Sequence, residues 1–235
     1  MAKIIFIASV LFWLLGVESC LAADFILDPG HSPSKPGTYS CSGGQEYAYN
    51  NELVETIINY LKQKNISVDV TRKKNGEISL LERAAKAKGK KLFLSIHHDS
   101  AQSKYIKMIN GHPCTDKVSG FSIFVSGKNP YFKESFWYAR VLGKMLIDQG
   151  FTASTHHGEP TKGENRKLID PATGVYQYDD LVVLKNSHAP AVLLEAGVII
   201  NPKDDELCKS LDYRLKIAYA VGEMFRFVGE ATKNY

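Results

Sequence analysis

Short apolar runs alternate with segments of helical spacing along most of this chain, and that alternation limits the folds open to it. Asp24–Asp28, Ser67–Thr71, Lys91–Ile96, Phe121–Val125 and Ala191–Glu195 read as strands. Lys91–Ile96 is apolar on both faces, as a buried parallel strand requires. Between them, Glu46–Lys64 repeats Leu53, Ile57, Tyr60 and Leu61 at helical spacing, and Phe132–Gln149 is amphipathic and ends at Gly150. Ser79–Lys88 opens with Ser79 three residues before Glu82, the spacing of a capping box. Asp204–Val228 reads as a closing helix and Leu181–Leu184 as a further short strand. Residues 152–180 are polar and punctuated by Gly and Pro, so they read as an excursion from the core. The pattern predicts an α/β fold: a single domain, with a mostly parallel twisted sheet of about six strands and helices on both faces.

The chain has 235 residues, enough for one sizeable core. Lys3, the apolar run Ile4–Val17 and the small residues Ser19, Ala22 and Ala23 have the layout of an export signal. The run is about 14 residues, short for a membrane span. Residues 1–23 are therefore expected to be a signal peptide and residues 24–235 the mature domain, with no stable membrane span after removal. Lipidation at Cys20 is the alternative, and Glu18 fits it poorly. The formal charge of +4 is too weak to argue for nucleic acid, and no basic stripe with interleaved aromatics occurs. In an exported chain Cys41 and Cys114, both in loops, are expected to pair, leaving Cys208 as a buried thiol.

Several strands end in residues that bind metals. His31 follows Asp24–Asp28, His97 and His98 follow Lys91–Ile96, and Glu195 closes Ala191–Glu195, while Glu46 opens the first long helix. In a parallel sheet these strand ends share one rim. Each residue alone is a weak signal, because a lone His after a strand is usually structural and a Glu in a first turn complements the helix dipole. Together they offer two His and a Glu, a known zinc set with an open fourth place, and one further carboxylate. No serine-nucleophile elbow, cysteine-protease motif or phosphate loop competes. His156 and His157 read as solvated loop residues, His112 as a cleft residue, and His188 as a surface residue.

The stretches Leu27-Asp28-Pro29-Gly30-His31, Gly44-Gln45-Glu46, Val70-Thr71-Arg72, Leu94-Ser95-Ile96-His97 and Pro190–Gly197 running on to Asn201-Pro202 occur in that order over nearly the whole chain. In these stretches the sequence resembles the zinc-dependent N-acetylmuramoyl-L-alanine amidases of the type 3 family. The resemblance implies that His31, Glu46 and His97 bind zinc and that Glu195 is the catalytic carboxylate. His98, where the family commonly has a small residue, is the competing third ligand. Ser32-Pro33 and Val198 depart from the pattern without removing a reacting group.

The implied reaction is hydrolysis of the amide between N-acetylmuramic acid and L-alanine in peptidoglycan, with peptidoglycan or muropeptides as substrate. A metallopeptidase acting on muropeptides or other peptides, and a wall-binding domain without catalysis, are the alternatives. A monomer is expected, and no feature identifies an activator. Export to the periplasm is the first expectation and secretion to the cell surface the second.

Overall fold

The computed structural model describes residues 23–161 and 164–231, so the apolar run read as an export signal lies outside the described residues. The first half contains β1 (Phe25–Pro29), α1 (Glu46–Gln63), β2 (Val68–Val70), α2 (Leu80–Ala85), β3 (Leu92–Asp99), β4 (Lys107–Ile109) and β5 (His112–Cys114). The second half contains β6 (Ser122–Val125), α3 (Phe132–Asp148), β7 (Lys167–Asp170), β8 (Val175–Gln177), α4 (Val182–Lys185), β9 (Ala191–Val198), α5 (Pro202–Lys209) and α6 (Leu211–Ala231). Seven strands form one sheet in the order β2-β1-β3-β9-β6-β8-β7, and β4-β5 is a separate hairpin. The β2-β1-β3-β9 half is parallel throughout, while β9-β6 and β8-β7 are antiparallel pairs. This is the single α/β domain with a mostly parallel sheet that the alternation predicted.

The period of two in the central strands sorts their side chains into two cores. Leu27, Leu94, Ile96, Val192 and Leu194 face α1, α3 and α6, whereas Ile26, Phe93, Ala191 and Leu193 face Val183 and Leu184 of α4 on the other side. Helices therefore cover both faces. Ser79 caps α2 through the expected box: its side chain accepts from Glu82 N, and Glu82 accepts from Ser79 N.

Three expectations are corrected. The excursion 152–180 supplies β7 and β8, which extend the sheet by an edge and raise it to seven strands. Leu181–Leu184 was expected as a strand, but α4 forms there, since four apolar residues carry no period that separates strand from helix. The closing helix is two helices. Ser210 is extended (ψ 137°) and separates α5 from α6, and Asn201 caps α5 by accepting from Lys203 N. No helix among the described residues is long and apolar enough to cross a membrane.

Candidate metal centre

β1, β3 and β9 run parallel with Pro29 beside Ile96, and His97 beside Glu195, so their carboxyl ends form one rim. β1 ends in Pro29 and Gly30, and His31 then takes a left-handed backbone (φ 60°). That conformation is unfavourable for a residue with a Cβ and costs on the order of 1 kcal/mol. Arg83 of α2 holds the turn: its guanidinium is buried, donates to the carbonyls of Pro29 and His31, and pairs with Asp28 at 3.2 Å. Asp28, fully buried, also accepts from Thr71 Oγ1 and Ser95 Oγ. Arg72 donates to the Gly30 carbonyl and to Asn51, so its role here is to brace the same turn.

These restraints bring His31, Glu46 and His97 together. Glu46 Oε1 lies 3.0 Å from His31 Nε2 and 3.1 Å from His97 Nδ1, and the three donor atoms are within 4.8 Å of one another. Glu46 Oε2 accepts from Thr38 N, which fixes the carboxylate plane. Two glycines leave room for the donors. A Cβ at Gly30 would overlap the His97 ring, and one at Gly37 would overlap the Glu46 carboxylate. The Glu46 side chain is 6% exposed, against 31% for His31 and 17% for His97, so the set opens toward solvent on the histidine side. A cleft of about 990 Å³ runs from there past Ser32, Leu80, Leu81, Arg83 and Val182.

The electrostatics suit a cation. Burial pushes the Glu46 carboxyl up, but hydrogen bonds and charge from His31 and His97 outweigh it and hold the group well below its ordinary value. Two imidazoles and one carboxylate at this spacing fit a divalent ion of the zinc class. Glu195, directly across from His97, differs: burial, then the carboxylates of Asp99 and Glu46, raise it well above the carboxylate range. Its Oε2 is buried without a hydrogen-bond partner, an orphaned acceptor that implies a missing proton or ligand.

His98 is not part of this set. Its Nδ1 is 2.8 Å from Asn50 Oδ1, its ring lies against Tyr49, and burial lowers its pKa to about 4. The alternative of His98 as third ligand is therefore replaced by a buried strut between β3 and α1. His156 and His157 are also corrected: both are buried, with His157 Nε2 2.7 Å from Asp99 Oδ2. His188 is exposed as expected, and His112 is partly buried beside Gly43. The reading of the sequence missed Arg83, Asp28 and Asp99. An aspartate ending an apolar strand was the available signal for two of them.

The comparisons with known proteins bear on the family and the fold. The family model for N-acetylmuramoyl-L-alanine amidase, Amidase_3, matches residues 25–225. The Escherichia coli amidase AmiA is 24% identical over 84% of this chain and 73% of its own length. The probable cell wall amidase LytH of Staphylococcus saprophyticus is also 24% identical, over 86% of this chain and 56% of its own. Among solved structures, the amidase Ami1 of Mycobacterium smegmatis superposes with a TM-score of 0.71 at 22% identity, covering 89% of this chain and 98% of its own. An amidase of Clostridium difficile reaches 0.68 at 21%, covering 87% and 95%. At these identities the solved structures show a shared fold, and the family match spans nearly all of the described chain. The chain belongs to the N-acetylmuramoyl-L-alanine amidase family.

Proposed function

We propose that this protein is a zinc-dependent peptidoglycan amidase that acts outside the cytoplasm and cuts the amide between N-acetylmuramic acid and L-alanine. The observation that carries the reading is the meeting of His31, Glu46 and His97 on the rim, with the orphaned carboxyl of Glu195 across from His97. His31, Glu46 and His97 would hold the ion, which when bound would supply Lewis acidity at the scissile carbonyl. Glu195 takes a proton from the attacking water and passes it to the departing L-alanine nitrogen. The C–N bond breaks, a C–O bond forms, and the products are a lactyl carboxylate and a free amine. A carboxyl raised by burial and by neighbouring carboxylates suits this two-way transfer, because its affinity for the proton lies nearer that of its partners. The cleft beside His31 gives the glycan or its peptide a path to the rim.

The test pairs metal analysis with digestion of purified wall. Wild-type protein is expected to hold zinc and release fragments bearing a new lactyl carboxylate and an L-alanine amine. Chelation abolishes release, and zinc restores it. Glu195→Gln keeps the metal and lowers turnover by about a hundredfold or more, whereas His31→Ala loses the ion held at this site and the activity with it. Near-normal hydrolysis by Glu195→Gln, or cleavage within the peptide instead, would sink the reading.

A further inference from the structure

A second set of donors lies at the end of β3 and shares no residue with the first. Asp99 ends that strand, just beyond a bulge that follows His97. Facing it is a single 3-10 turn, His156–Gly158, from the connection between α3 and β7. Asp99 Oδ2 is 2.7 Å from His157 Nε2 and 3.4 Å from His156 Nε2, and the three donors are within 4.8 Å of one another. All three residues are buried.

The rest of the arrangement presents those nitrogens inward. His157 Nδ1 is 3.0 Å from Glu164 Oε2, and His156 Nδ1 is 2.7 Å from Ser154 Oγ. The Glu164 carboxylate accepts from His157 Nδ1 and the Ser154 hydroxyl meets His156 Nδ1, the kind of outer partner found at histidines bound to metals. The turn is held rigid, since Gln102 Nε2 donates to the His156 carbonyl and Tyr176 donates to that of Ser154. His156 Nε2 is the independent sign: its side chain is 2% exposed, yet that nitrogen has no hydrogen-bond partner. A buried ring nitrogen without a hydrogen bond is unfavourable unless a further partner meets it.

We propose that Asp99, His156 and His157 bind a second divalent transition-metal ion, of the zinc class, which pins residues 152–180 to the end of β3. Two imidazoles and a carboxylate are a known donor set for such ions, and binding here displaces the His157 proton held between Asp99 and Glu164. Bonds of about 2.0–2.1 Å place tetrahedral donors about 3.3–3.4 Å apart, the spacing of Asp99 and His156, while the 2.7 Å from Asp99 to His157 opens on binding. The carboxylates of Asp99 and Glu164 supply the charge. The competing account is a plain ion pair between His157 and Asp99, which leaves His156 Nε2 unexplained.

The full chain, stripped with chelator and dialysed against zinc, gives the test by elemental analysis. Wild type is expected to take two equivalents, His31→Ala one, His156→Ala one, and the double variant none. Cobalt(II) loaded into His31→Ala should give visible ligand-field absorption that the double variant lacks. A wild type that takes a single equivalent, lost in His31→Ala, would overturn the proposal in favour of the ion pair. So would two equivalents retained by His156→Ala. A single equivalent that survives in His31→Ala and disappears in His156→Ala would support this site while overturning the first, so the two readings fail separately.

Discussion

His31 is held in a left-handed backbone by the residues around it, chiefly the Arg83 guanidinium that takes up the carbonyls of Pro29 and His31. The same guanidinium pairs with Asp28, and both side chains are almost completely buried. Removing one partner leaves the other charge and two carbonyls without compensation in a medium that cannot solvate them. Arg83→Met is therefore expected to destabilise the fold by about 3–5 kcal/mol, measured from urea unfolding. A loss below about 1 kcal/mol, the range of an exposed pair, would show that the clamp is not needed.

At the scale of elements, α5 ties the rim together. Asp204 accepts from the backbone of Gly120 and Val198, and Asp205 accepts from Ser42 N and the Tyr49 hydroxyl. Burial pushes the Asp205 carboxyl up, but hydrogen bonds from Ser42, Tyr49 and Lys209 outweigh it and hold it below its ordinary value. A depressed carboxyl contributes stability that is present above the unfolded value and lost as pH falls through the folded one. Wild-type melting temperature is thus expected to fall more steeply below about pH 4 than that of Asp205→Asn, which already lacks the contribution near neutrality. Parallel melting curves for the two proteins over that range would contradict the assignment.

Across the whole molecule, the loop that carries the chain from His31 to Glu46 is bonded to the distant β5 by the Cys41–Cys114 disulfide, 73 residues apart. The pairing expected from the sequence is present, and Cys208 is buried and free. Cys41 N and Thr115 N donate to the carbonyls of Ile199 and Ile200, so both ends of the bridge rest on the chain just after β9. Closing a loop of this length restricts the unfolded chain by about 4 kcal/mol. Cys114→Ser is expected to lose up to about that much in denaturant unfolding, while reduced protein that keeps its wild-type stability would refute the contribution.

The alternation of apolar runs and helical periods, and the histidines and carboxylates placed at their ends, determined the class of fold and the first donor set. Those signals are local, and a parallel sheet brings strand ends to one rim without further information. What needed tertiary structure was every decision between local options of similar energy. Val182–Lys185 became helical where its packing partner is α2 and β9, and residues 152–180 gained two strands because β6 offered a free edge. His98 turned to Asn50, and His156 and His157 left solvent for Asp99, because the partners that make burial of an imidazole tolerable lie dozens of residues away in sequence.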